Sequence, residues 1–356
     1  MPNLFDPFTL RGITLRNRIG MPPMCQYSAV DGLANDWHLA HYGARAVGGM
    51  GLIIIEATAV EPRGRITPND LGLWDDAQIE PLARIVHFLK AHGAVAGIQI
   101  AHAGRKACTY RPWDAPASGP IPPADPHHWQ VVGASPLPFS TSYPVPHTLQ
   151  VDEIYAIQEA FAAAARRAQA AGFEWLELHA AHGYLLHSFY SPLANQRTDT
   201  YGGSFDNRTR FVLETAAKVR QAWPQHLPLT ARLSCTDWVE DGWTCDDSVL
   251  LARQLKAAGF DLVDCSSGGN GPTPPAVTGP GYQVPLAEAV RHSAGIATAA
   301  VGLITAPEQA DEVIFNGRAD IVLVGRAALR DPHWPLHAAQ VLKKDGPVPG
   351  QYRRAF

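Results

Sequence analysis

The sequence predicts an α/β protein built as a (β/α)8 TIM barrel, with a proline-rich excursion after the third strand, across 356 residues. Three observations carry this expectation. Short apolar runs alternate with amphipathic stretches, the pattern that gives a parallel sheet with crossover helices. Eight such runs fit the length, which favours a closed barrel over an open doubly wound sheet. Finally, the apolar run Trp175-Leu176-Glu177-Leu178 passes directly into His179-Ala180-Ala181-His182-Gly183-Tyr184, which is how a barrel strand delivers polar side chains to its catalytic mouth.

In chain order, the strands fall near 18–21, 52–58, 95–100, 175–179, 229–233, 262–266, 297–301 and 321–324. Helical patterns cover 36–47, 76–92, 152–171, 207–223, 246–258 and 306–316, several opening on an Asp or Asn suited to N-capping. The segment 103–150 carries ten prolines between Pro112 and Pro146. That density excludes a long helix, so the segment reads as an excursion over the barrel mouth. A second glycine–proline loop, 268–285, follows the sixth strand and can wall the same mouth.

Composition narrows the ligand. A formal net charge of -4 and a pI near 6.4 give no basic footprint for nucleic acid and no polybasic patch for an anionic membrane. A small molecule is the expected partner. The start Met1-Pro2-Asn3-Leu4-Phe5-Asp6 lacks the features of a secretory signal, and no apolar run approaches the ~20 residues that span a bilayer. A soluble, cytoplasmic protein is expected. Cys25, Cys108, Cys235, Cys245 and Cys265 form no C-x-x-C pair, so they read as reduced thiols, mostly interior.

His179 and His182 can both donate hydrogen bonds to one carbonyl oxygen, and the Tyr184 phenol can supply a proton, which suits an enzyme that polarises a conjugated carbonyl. Two alternatives stay open: metal ligands on one helix face, or core histidines satisfied by the backbone. The last two strands end in Val301-Gly302-Leu303 and Val324-Gly325-Arg326. Exposed N–H groups at Gly302 and Gly325, with the Arg326 fork, describe the phosphate site that barrels build after strands seven and eight. Two ordinary turns with a surface arginine are the plainer alternative. Gln99 and Arg232, at the ends of strands three and five, point to the same mouth and could read the edge of a flat heterocycle such as a reduced flavin, or simply bridge strands.

Longer motifs carry a resemblance. Pro22-Pro23-Met24-Cys25-Gln26-Tyr27, Gln99-Ile100-Ala101-His102-Ala103-Gly104-Arg105 and Ser191-Pro192-Leu193-Ala194-Asn195-Gln196-Arg197-Thr198-Asp199, with Tyr201-Gly202-Gly203-Ser204 and Gly325-Arg326, run nearly end to end. The chain resembles the old yellow enzymes, FMN-dependent ene-reductases, and within them the thermophilic-like subgroup. The resemblance implies one FMN-binding barrel domain over 1–356 with noncovalent FMN, reduced by NADPH or NADH and passing hydride to an α,β-unsaturated carbonyl compound. By position, Pro23, Met24, Cys25, Ala57, Gln99 and Arg232 would hold the isoalloxazine ring and ribityl chain, and Gly302, Gly325 and Arg326 the phosphate. His179 and His182 would grip the substrate oxygen or the nicotinamide amide, Tyr27 would touch substrate, and Tyr184 would donate the proton.

Cys25 falls where the subgroup places a thiol beside the flavin. A lone cysteine without an adjacent base reads as tuning the flavin through a weak S–H contact, against the plainer reading of a buried packing residue. The tail 343–356 closes on Arg353-Arg354-Ala355-Phe356. It resembles one that reaches a neighbouring subunit's active site, implying a homodimer or homotetramer with Arg354 at the substrate; Arg353 is a second candidate, and Ala355-Phe356 departs from a Gly-Trp ending. Two other readings stand beside this one. A dienoyl-CoA-reductase-like flavoenzyme would add a cysteine cluster and further nucleotide-binding domains, and a flavin-free lyase or isomerase would use Arg326 on a substrate phosphate.

Overall fold

The structure, a computed structural model, describes residues 1–114, 119–272, 275 and 278–356. Eight parallel strands close into a barrel: β1 (Ile19–Met21), β2 (Leu52–Ala59), β3 (Val95–Ala101), β4 (Trp175–Ala180), β5 (Leu229–Ser234), β6 (Leu262–Ser266), β7 (Ala297–Ala300) and β8 (Ile321–Leu323). β8 closes the ring on β1, with Val322 opposite Ile19. Every strand expected from the sequence is present to within one residue at each end.

Alternation along the strands sorts the side chains. Leu52, Ile54, Val95, Trp175, Leu262, Ala299, Ile321 and Leu323 pack together inside the barrel, whereas Ile53, Ile55, Ile98, Leu176 and Leu178 join the shell beneath the helices. The two-residue side-chain period explains this: neighbours in sequence face opposite sides. An antiparallel hairpin, Phe8–Leu10 with Ile13–Leu15, packs Leu15 and its neighbours onto the interior cluster. It seals the end opposite the mouth, and its short strands gave no separable signal in the sequence.

The helices are α1 (Asp36–Val47), α2 (Ile79–Ala91), α3 (Val151–Ala170), α4 (Leu185–Tyr190), α5 (Phe205–Ala222), α6 (Cys245–Ala257), α7 (Val284–Ala294), α8 (Pro307–Phe315), α9 (Arg326–Arg330) and α10 (Trp334–Leu342). The expected caps need correction. Asp36, Asp152, Asn207 and Asp246 sit inside the first turn; the side chains of Asn35, Ser204 and Thr244 cap α1, α5 and α6, and at α3 the Glu153 carboxylate accepts from the Gln150 N–H. The acidic residues one step in complement the helix dipole instead. The pattern 76–92 also divides, into a single 3-10 turn at Asp76–Gln78 followed by α2.

The excursion holds a 3-10 turn, Gly104–Lys106, and a two-stranded parallel pair, Val132–Gly133 with His147–Thr148; Pro116 lies outside the described residues. Arg105 donates to the carbonyl and the side-chain oxygen of Asn270, at 2.5 and 2.9 Å, which ties the excursion to the loop after β6. Residues 273, 274, 276 and 277 of that second loop lie outside the described residues, and its end is shorter than expected because α7 takes Pro285 into its first turn, where proline is tolerated. Among the described residues no helix is long and apolar enough to cross a membrane.

Ile54, 1 % exposed in the barrel interior, has no room to be replaced without a void. Ile54→Ala is expected to lower unfolding free energy by roughly 2–5 kcal/mol, the range for large-to-small core changes. Urea denaturation read by far-UV circular dichroism checks this, with an unchanged midpoint as the contrary result.

Candidate active site

Above the apolar filling the inward positions turn polar. Gln99, Glu177, Arg232 and Asp264 are inward residues of β3 to β6, and the register places Gln99 opposite Glu177 and Asp264 opposite Arg232. Gln99 Nε2 donates to Glu177 Oε1 at 2.9 Å, and Arg232 Nε lies 3.1 Å from Asp264 Oδ2. Glu177 Oε2 and Asp264 Oδ1 are left without a hydrogen-bond partner among the described residues. Burial pushes both carboxyls up, Glu177 to about 8 and Asp264 to about 6; their mutual repulsion adds to the Glu177 rise, while Arg232 opposes it in both. Near neutrality Glu177 is protonated, and Asp264 faces the guanidinium.

One strand irregularity shapes the next wall. A bulge in β2 between Ile55 and Ala57 leaves Ala57 opposite Gln99, so Ala57 faces inward. The same bulge frees Glu56 for Tyr42, whose hydroxyl donates to Glu56 Oε2 at 2.6 Å. The Cys25 thiol meets the Ala57 backbone and the Tyr27 hydroxyl. Burial, with Asp70 and Glu56 nearby, pushes the thiol well above its ordinary value against those two hydrogen bonds. It is therefore a neutral thiol and a poor nucleophile.

The two histidines do not share a helix face, which removes the arrangement needed for the metal alternative. His179 ends β4 and His182 sits in the turn beyond it, their rings perpendicular with centroids 5.3 Å apart; Tyr184 meets His179 edge-on at 4.9 Å. The Ala181 N–H donates to His179 Nδ1 at 3.3 Å, so Nε2 carries the proton and points elsewhere. His182 Nε2 lies 2.7 Å from the Ser266 hydroxyl. Burial first, then the charge of Arg232, holds both imidazoles well below 6.5 and so neutral. Burial likewise pushes the Tyr184 phenol well above its ordinary value.

A cavity of about 290 Å3 runs from His182 and Ser266 to Gly302, Gly325 and Arg326. Gly302 has φ +122°, and a Cβ there would stand 2.8 Å from Gln283 Nε2. A Cβ on Gly325 would touch Pro22 and Met24 at 3.5 and 3.6 Å, which places the segment carrying Pro23 and Met24 beside the β8 turn. Arg326 is exposed at the cavity rim. Tyr27 and Tyr184 pack with Cys25 against a satellite cluster from the excursion that includes Ala103 and Ile121. The described contacts do not bring Arg353 or Arg354 to this mouth: the tail folds back, with Tyr352 beside His333 and Phe356 beside His337.

Three residues near the mouth escaped the sequence reading. Lys106 donates to the carbonyls of His182 and Gly269, at 2.8 and 2.9 Å, and its ammonium stands 5.2 Å from the Tyr184 ring centroid. Burial lowers it to about 8. Ser266 partners His182, and His187 reaches the next residue of the turn. In sequence Lys106 is one charge in a polar loop, Ser266 is the end of an apolar strand, and His187 is a helical histidine, so no spacing singles them out.

These residues fit a flavin mononucleotide. The Gln99 amide and the Arg232 guanidinium flank β4 on the inward side, and a glycine-lined cavity with an arginine rim starts at His182 in the turn beyond that strand. The comparisons agree. The profile of the NADH:flavin oxidoreductase / NADH oxidase family matches residues 3–345. An NADPH dehydrogenase of Geobacillus thermodenitrificans is 47 % identical over 355 residues, covering 99 % of this chain and 98 % of its own, and one of Listeria innocua is 44 % identical over 358 residues, with all of both chains covered. Morphinone reductase, solved in complex with tetrahydroNAD, superposes with a TM-score of 0.80 at 26 % identity, covering 99 % of this chain and 94 % of that one. Histamine dehydrogenase shares the barrel at 28 % identity, but this chain spans 48 % of it. The chain belongs to the NADH:flavin oxidoreductase / NADH oxidase family and is an FMN-dependent, NAD(P)H-using oxidoreductase of the old yellow enzyme type.

Proposed function

We propose that the protein reduces the activated C=C bond of α,β-unsaturated carbonyl compounds. The observation that carries this reading is the cavity joining His182 and Ser266 to Gly302, Gly325 and Arg326: Gly302, Gly325 and Arg326 would hold the phosphate of FMN, and Gln99, Arg232, Pro23, Met24, Cys25 and Ala57 its ring and ribityl chain. A flavin held there would supply the hydride chemistry, from the nicotinamide to the alkene carbon β to the carbonyl.

The chain's own residues do the rest. His179 and His182, both neutral, donate to the substrate carbonyl oxygen and stabilise the charge that gathers on it. Tyr184 keeps its proton at neutral pH and gives it to the α carbon, and Tyr27 closes the substrate side. The neutral Cys25 thiol would offer the flavin ring a weak donor. Arg354 is exposed on its tail, free to serve a second copy in a homo-oligomer.

Three outcomes test this reading. Arg326→Ala should weaken FMN retention by roughly 10- to 150-fold, since a charge-assisted bond to phosphate contributes about 1.5–3 kcal/mol. Equilibrium dialysis of wild type and variant measures it, and equal affinity contradicts the phosphate assignment.

His179→Ala or His182→Ala should slow 2-cyclohexenone reduction by a factor of about 10²–10³, the usual loss for one such donor, with FMN still bound. Because both pKa values lie below the ordinary 6.5, the neutral donors persist on either side of it. Wild-type reoxidation by the enone should therefore show no ionisation limb near pH 6.5, and such a limb would mean that an imidazolium does the work.

Tyr184→Phe should slow reoxidation of reduced enzyme by the enone by about 10²–10⁴, the range for general acid catalysis, and leave reduction by NADPH nearly unchanged, since only the alkene step needs a proton at carbon. Stopped-flow traces of the two half-reactions decide it. Equal slowing of both would make the phenol a positioning group.

A further inference from the structure

Behind the histidine turn lies a buried polar chain that the chemistry above does not use. His187, on α4, takes the Gly183 N–H on Nδ1 at 2.8 Å. An accepting Nδ1 carries no proton, so the ring's proton is on Nε2, which lies 3.1 Å from Asp237 Oδ1. Asp237 Oδ2 accepts from the Ser191 hydroxyl at 2.6 Å and the Trp243 N–H at 3.0 Å, and Ser191 Oγ accepts from Asn270 at 2.6 Å. The His187 and Asp237 side chains are 0 % and 1 % exposed.

Serine, aspartate and histidine in one chain invite comparison with a nucleophile triad, but the order is wrong. Ser191 bonds the carboxylate, not the imidazole, and is fully buried. The end that faces function is the Gly183 N–H.

That position needs holding. His182 has φ +59° and Gly183 φ +74°, and a left-handed non-glycine residue costs on the order of 1–3 kcal/mol unless its surroundings impose it. A Cβ on Gly183 would fall 2.3 Å from the Gly269 carbonyl oxygen, so the turn is also pressed against the loop after β6. Lys106 grips the His182 carbonyl from one side. His187 grips the Gly183 amide from the other.

We propose that His187 and Asp237 are a positioning pair: through the Gly183 N–H they fix the backbone that aims His182 and Tyr184 at one ligand. Asp237 orients the imidazole and selects its tautomer, as a carboxylate does for a metal-bound or catalytic histidine. Burial would raise the Asp237 carboxyl, but the His187 and Ser191 contacts hold it below its ordinary value, so the orienting charge persists at neutral pH. The roles of His182 and Tyr184 rest on the function proposed above; the positioning does not.

Two substitutions separate the contacts. In His187→Gln the amide stands where Nε2 stood, keeping Asp237 and losing the acceptor for Gly183. In His187→Asn the oxygen stands where Nδ1 stood, keeping that acceptor and losing Asp237. Both variants of the FMN-loaded enzyme should melt lower than wild type. Turnover should divide them: kcat/KM for 2-cyclohexenone is expected to fall about tenfold or more in His187→Gln, as misplacement of catalytic groups costs, and to stay within about threefold in His187→Asn. Equal kcat/KM losses in the two variants would overturn the proposal, because a purely structural role follows stability alone.

Nitrogen NMR of wild-type enzyme labelled at histidine, which needs neither variant to fold, should show His187 with an unprotonated Nδ1, and hydrogen exchange should find the Gly183 amide protected. A protonated Nδ1 or a freely exchanging Gly183 amide overturns the pair even if no enone is reduced, whereas absence of enone turnover with both signatures present contradicts only the proposed function.

Discussion

The mouth of this barrel is organised by what its interior cannot satisfy. Apolar side chains fill the barrel up to the level of Ile54 and Trp175, and the next inward positions are an amide, two carboxyls and a guanidinium: Gln99, Glu177, Asp264 and Arg232. Each buried polar atom left unpaired costs about 1–3 kcal/mol, and Glu177 Oε2 and Asp264 Oδ1 are unpaired among the described residues. Part of the cost is relieved within the layer, by the Gln99 amide on Glu177 and by the Arg232 guanidinium beside Asp264. What remains is a flat polar edge at the floor of an open mouth, which is the surface a heterocycle with its own donors and acceptors matches.

The histidine turn depends on contacts that are distant in sequence. His182 and Tyr184 sit in one short turn, but that turn is held from the excursion by Lys106, from β6 by Ser266, from the loop beyond it by Gly269 and from α4 by His187. Neutrality of the histidines is a collective property too. Burial and the Arg232 charge both disfavour the imidazolium, so one cation helps keep both neighbouring rings uncharged.

The barrel was legible because strand alternation and apolar runs are local signals: all eight strands followed from them. Helix starts were less so, since Asp36, Asp152 and Asp246 resemble caps but serve the first turn, while Asn35 and Thr244 make the capping bonds at α1 and α6. Position in a motif gathered Cys25, Tyr27, Gln99, Arg232, Gly302 and Arg326 around one mouth. It could not show Lys106 or His187, whose importance lies in the backbone atoms they touch. Nor could it show Glu177 beneath Arg232, because an acidic residue in an apolar run is informative only once its barrel neighbours are known. The tail is a different case. Arg354 stands out only as part of a sequence ending, and the tail that carries it packs Tyr352 on His333 and Phe356 on His337.

The account turns on a cradle whose floor is polar and whose rim binds phosphate. Calorimetric titration of the apoprotein with FMN and with riboflavin, which lacks the phosphate, tests both parts together. The account predicts one FMN per chain, with riboflavin bound in the same ratio but roughly 10- to 150-fold more weakly, the equivalent of about 1.5–3 kcal/mol at the rim. Equal affinities for the two would contradict the phosphate rim, and binding of neither would contradict the cradle.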